Sequence, residues 1–118
     1  MSRPPDRLDL ALTRRLRAIV AGAAATESEL RELADQAGGW ERAVAAQLRA
    51  AEERLGRLNG DPASPLAAMA QEIRRVETLK RELEEARELL HGLEERTREL
   101  RTAWLKYHAD SAPLRDRG

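Results

Sequence analysis

The sequence predicts an all-α fold, a long antiparallel helical hairpin or two-helix coiled coil, and three observations carry that prediction. Of 118 residues, 36% are charged and only 3% aromatic, with no Phe and a predominance of Ala, Leu, Glu and Arg. This is the composition of long helices, not of sheets. Apolar residues recur in alternating steps of three and four through both halves of the chain, the repeat of a supercoiled seam. The strong helix breakers gather in one segment, Asn59-Gly-Asp-Pro-Ala-Ser-Pro65. Two apolar stripes joined by one short loop are expected to lie against each other.

In the first half the stripe runs through Leu12, Leu16, Ile19, Ala23, Thr26, Leu30, Leu33, Ala37, Trp40, Val44, Leu48, Ala51, Leu55 and Leu58. Asp6, after Pro4-Pro5, offers a cap for a helix starting near Arg7. Two places could break this helix, Gly38-Gly39 and the capping-box pattern Thr26-x-x-Glu29, but the stripe passes both without a change of phase. This predicts one helix over about 7–58, although each glycine costs about 1 kcal/mol relative to Ala. The alternative is a kink near Gly38-Gly39 that divides the chain into three helices.

The loop, 59–64, reads as one helix stopping and another starting. Gly60 suits the left-handed position past a helix end, Ser64 suits the N-cap, and Pro65 suits the first helical position, where its missing N–H is no loss. The second stripe follows through Leu66, Met69, Ile73, Val76, Leu79, Leu83, Ala86, Leu90, Leu93, Thr97, Leu100, Trp104 and Tyr107. One repeated step of three, Val76 to Leu79, is a stammer. Asp110-Ser-Ala-Pro113 closes a helix of about 65–110 and leaves short disordered tails around a single domain.

A hairpin centred on this loop, with Leu58 facing Leu66, pairs residues whose numbers sum to about 124. Trp104 and Tyr107 then fall opposite Val20-Ala-Gly-Ala-Ala-Ala25 and Arg17, large against small, and Trp40 falls beside Leu83 to Ala86. The packing seam is therefore read as Trp40, Leu66, Ile73, Leu83, Leu90, Leu93, Leu100 and Trp104. Leu10, Leu89 and Leu105 fall beside it and form the candidate partner surface, whose cover is expected to be a second copy of the chain in an antiparallel four-helix homodimer, with a different protein partner as the alternative.

Catalytic chemistry is not legible. The chain has no Cys, hence no disulfide, thiolate metal site or thiol nucleophile, and it lacks a phosphate-cradling loop and a nucleophile elbow. His91 has Glu94 and Glu95 at helical spacing but reads as a flank residue, so no metal, cofactor or catalytic residue is assigned. Seven acids crowd Glu82 to Glu99, yet a two-helix rod offers no pocket to raise a carboxyl pKa. Uncharged stretches such as Ala18 to Thr26 reach only about half of the ~18–20 residues of a membrane span, and no secretory leader is evident. A cytoplasmic protein is expected.

The formal net charge is zero, but it is banded. Residues 1–24 with 100–118 carry nine Arg or Lys and four Asp; residues 25–42 with 82–99 carry five Arg and twelve acids; residues 43–81 carry seven basic and five acidic groups. The predicted rod has a basic open end and an acidic waist, an arrangement able to set antiparallel association. Pairs such as Glu53 with Arg57, Glu77 with Arg81 and Glu94 with Arg98 stand at the favourable i, i+4 spacing.

A first helix to Leu58, a loop at Asn59-Gly60 and a second helix ending in Arg101-Thr-Ala-Trp-Leu-Lys106 resemble the stalk proteins of flagellar and type III export ATPases. That resemblance implies an antiparallel coiled coil inserted into an ATPase ring. The Glu/Arg-rich second helix after the loop also looks like the tRNA-binding arm of seryl-tRNA synthetases, but the loop end is only slightly basic, which disfavours nucleic acid. The function expected from the residues is non-enzymatic protein–protein interaction or scaffolding.

Overall fold

A computed structural model describes the backbone of residues 5–111 and the side chains of residues 10–109. Residues 1–4 and 112–118 of the expected tails lie outside what is described, and because α1 starts at Pro5, Asp6 falls inside the helix and not at its cap. The chain is all-α and elongated, 82 × 28 × 22 Å with a Cα radius of gyration of 21.2 Å. Three helices occur among the described residues: α1 (Pro5–Val20), α2 (Glu27–Asn59) and α3 (Leu66–Ser111). The long α2 and α3 form the expected antiparallel hairpin. The first predicted helix, however, is two helices, and the break is at residues 21–26, not at Gly38-Gly39.

Local chemistry explains the break. Ala23 N–H donates to Ala18 O at 2.9 Å and Gly22 N–H to Ile19 O at 3.0 Å, the paired bonds of a Schellman motif, with Gly22 at φ +115° in the position that favours glycine. Four residues later Thr26 restarts the helix. Its Oγ1 accepts from Glu29 N–H at 3.0 Å, and the Glu29 carboxylate accepts from Thr26 N–H, a complete capping box. A stop and a start this close together reverse the chain. Gly38-Gly39 stays helical because buried Ala37 and Trp40 on either side anchor the same face of α2 in the core.

α1 folds back along the α2–α3 pair. Arg17 forms an ion pair with Glu85, and Val20 lies against Gly92, where an added Cβ would come within 3.0 Å of its Cγ2. α1 therefore runs parallel to α3 and antiparallel to α2. Its Leu12, Leu16 and Ile19 are buried together with Leu30, Leu33, Ala37, Trp40 and Val44 of α2 and Leu79, Leu83, Ala86 and Leu93 of α3. The result is a three-helix bundle in the middle of the rod and a two-helix stem toward the loop.

The α2–α3 register follows from three ion pairs, Arg101–Glu27, Arg87–Glu41 and Arg54–Glu72, whose residue numbers sum to 126–128. It is offset from the expected register by about one turn. The stripe expected at the start of α3 does not pack as drawn: Leu66 is 81% exposed and Ile73 is also exposed, although Met69 between them is half-buried. Leu66 and Ile73 precede the Val76–Leu79 stammer, which rotates the upstream stripe out of phase with the residues below it. Gly60 is right-handed (φ −83°), not left-handed as expected. The loop is held instead by Asp61 Oδ1, which accepts from Ala63 N–H at 2.9 Å, and α3 begins one residue later than expected, with Pro65 O accepting from Met69 N–H at 3.2 Å.

These placements rank the seam energetically. Leu93 is 1% exposed, so Leu93→Ala is expected to cost about 2–5 kcal/mol, whereas Leu66→Ala is expected to cost under about 0.5 kcal/mol. Denaturant titration of the two variants separates them, and equal losses would mean that Leu66 packs after all.

Candidate functional site

The turn at 21–26 determines what is left uncovered. α2 begins at Glu27, beside Arg101, so α3 continues past the end of its partner, and residues 101–109 are all exposed. This overhang carries large apolar side chains in the open. Trp104 is 59%, Leu105 62% and Tyr107 69% exposed. His108 holds the aromatics together, with its ring centroid 4.0 Å from that of Trp104 and edge-on to Tyr107 at 5.6 Å. Trp104 and Leu105 also wall an open groove of about 710 Å³ whose floor includes Ala25, Leu30 and Leu100, with Glu27 and Arg101 at its lip.

The sequence-predicted residues divide between the core and this end. Trp40, Leu83 and Leu93 are buried, and Leu90 and Leu100 are half-buried against the core. Trp104 is not in the seam, because the stretch Val20 to Ala25 expected opposite it is the turn. Of the candidate partner surface, Leu10 and Leu105 are exposed, but Leu89 is half-buried and packs on the core. Leu89 shares a stripe of α3 with Glu85 and Gly92, the residues that meet α1. Sequence reasoning missed Gly22 as a helix stop, although a glycine four residues before a capping box is the readable signal.

Electrostatics reinforce the turn. Hydrogen bonding from Arg101 lowers the Glu27 pKa below the ordinary 4.5, and raises that of Arg101 in return. Hydrogen bonding from Arg15, helped by Thr26 N–H, lowers Glu29 likewise. Arg15 also donates to Ala24 O at 3.3 Å, so one guanidinium joins α1, the turn and the start of α2. The banded charge is thus partly matched within the chain, where basic α1 lies on the acidic waist through Arg15–Glu29 and Arg17–Glu85. Arg98 pairs with Glu95 at 2.8 Å, one residue away from the expected Glu94.

A second groove, about 1120 Å³, lies between α2 and α3 below Leu12 and is bordered by Trp40, Val44, Leu79, Arg74 and Arg75. His91 and Glu94 are exposed. Among the described residues no three His, Asp or Glu side chains come together, and no helix is long and apolar enough to cross a membrane. Comparison with protein-family models, with curated proteins and with solved structures gives no match to this chain.

A depressed Glu29 pKa links the turn to pH. The stabilisation it gives is present above the ordinary value of 4.5 and is lost as pH falls through the lower folded-state value. Acidification below about pH 4.5 is therefore expected to speed amide hydrogen exchange in α1 before α3 is affected, and Glu29→Gln should flatten this dependence. Simultaneous loss of protection in α1 and α3 would place the acid-sensitive contact elsewhere.

Proposed function

We propose that this chain is a non-enzymatic, cytoplasmic helical module for protein–protein interaction or scaffolding, and that it self-associates through the open end of the rod. The supporting observation is the overhang, where Trp104 and Leu105 are exposed beside an open groove and Tyr107 is exposed one turn beyond Trp104. Tryptophan and tyrosine on a rigid helix, with charged residues at the margin, are the side chains that dominate the energy of interfaces. The carboxylates with shifted pKa values, Glu27 and Glu29, are shifted downward, the reverse of what a general acid at neutral pH requires.

Mass in solution across a dilution series tests this reading. A dimer of the 13.2 kDa chain is expected at high concentration, weakened at least ~10-fold in Kd by Trp104→Glu or Leu105→Glu. Leu66→Glu, an exposed position outside the overhang, should leave it unchanged. A chain that remains 13.2 kDa at every concentration, or a dimer indifferent to both overhang substitutions, would overturn the reading.

A further inference from the structure

The buried stripes of α1 and α2 are in phase across a segment that is not helical. Leu12, Leu16 and Ile19 are buried on α1, and Leu30, Leu33 and Ala37 on α2. Between them, Ile19, Ala23, Thr26 and Leu30 follow steps of four, three and four. A chain that reverses direction between two helices has no need of that match, because a turn does not transmit helical phase. A chain that is helical through 21–26 requires it. Four of those six residues are alanine, the strongest helix former, and the reversal depends on Gly22.

We propose that the turn at residues 21–26 opens into a continuous α1–α2 helix and that two copies of this chain exchange their α1 helices, giving an end-to-end, domain-swapped dimer. The inference rests on the self-association reading and specifies its geometry. Because α1 runs parallel to α3, straightening the turn sends α1 out past the open end of its own rod. There it enters a second copy, placed open end to open end, in the direction in which that copy's own α1 lay. Each opened chain has a projecting α1 with its apolar face uncovered and a vacated site shaped for α1. A second copy is the occupant that satisfies both.

The exchange restores between chains every α1 contact with α3: the burial of Leu12, Leu16 and Ile19, the Arg17–Glu85 pair and the Val20–Gly92 approach. It gives up the Gly22 reversal and the Thr26 cap. In return the overhang is covered. The register of the Arg101–Glu27 and Arg87–Glu41 pairs, continued through a helical hinge, sets Ala24 beside Trp104 and Ala21 beside Tyr107, small against large. Seating Val20 of one copy at Gly92 of the other centres the two-fold near Leu100. The two α3 tips then overlap antiparallel, with Arg101 and Lys106 of one copy opposite Glu99 and Glu94 of the other. These charges are complementary, and the overlap is a four-helix bundle.

A disulfide reports the exchange directly. The chain has no Cys, and a Cβ on Gly92 would stand 3.8 Å from Val20 Cβ, the ~3.8 Å separation of a disulfide. In the double variant Val20→Cys, Gly92→Cys, oxidised at high concentration, the dimer fraction is expected to run at twice 13.2 kDa on a denaturing, non-reducing gel, whereas the dilute monomer closes the bond within one chain. A dimer in solution whose oxidised chains separate on that gel overturns the exchange and leaves self-association standing. A chain that stays monomeric at every concentration overturns both. In the cysteine-free chain, Gly22→Ala removes the residue that permits the reversal and adds helix propensity at both hinges, so dimerisation should tighten roughly 10-fold or more. An unchanged or weakened dimer would show that the turn is not the moving part.

Discussion

The fold depends on how the chain is turned between Val20 and Glu27. Two antiparallel helices alone bury one stripe each, which leaves a chain of this size with little apolar surface removed from water. Folding α1 back adds Leu16 and Ile19, both fully buried, and converts the middle of the hairpin into a bundle. Glu29 is central to the turn. Its carboxylate accepts from Thr26 N–H to close the capping box and pairs with Arg15 on α1, so one side chain both starts α2 and ties down the helix that precedes it.

The same turn organises charge and exposed surface. With α1 folded back, Arg15 and Arg17 lie on the acidic waist, and part of the charge banding is neutralised within one chain. The far side of the turn is left without cover. α3 has 46 residues and α2 has 33, and the difference appears at both ends, as a loosely packed first turn and as the aromatic overhang. The buried seam along the middle of α2 and α3, with Arg87–Glu41 and Arg101–Glu27 in the same register, would be disrupted by any slide that evened out the mismatch.

What the sequence made legible follows the physics of each signal. Heptad spacing identified which residues are buried on α2 and the middle of α3, because a 3.5-residue repeat keeps one face turned inward over many turns. The loop was legible from its breakers, but not the register, since the α2–α3 ion pairs are offset by about one turn and Leu66, expected to face Leu58, is exposed. The stammer was visible, yet its effect was not: Leu66 and Ile73 lie upstream of it and rotate outward, while Leu83 and Leu93 stay in the core. The exposed end was misread for another reason. Trp104 and Tyr107 continue the stripe of α3 without a flaw, and only the position of α2's first residue shows that nothing stands opposite them.

The break at 21–26 shows why periodicity and caps answer different questions. A stripe specifies a buried face but not the surface that buries it, so Leu12, Leu16 and Ile19 satisfy the same pattern whether α1 extends α2 or folds back beside it. Caps specify where the chain turns. An N-cap is worth about 0.5–2 kcal/mol, small beside the burial of a helix face, but both topologies bury that face and the large term cancels. The choice falls to the small terms: the Gly22 reversal and the Thr26 cap on one side, the alanine-rich helix and the covering of Trp104 on the other. Within one chain α1 reaches its site without the loss of translational freedom that a second molecule brings, and that difference favours the folded-back form at low concentration. Balance at this level makes residues 21–26, and not the long seams, the part of the sequence where single substitutions can change the architecture.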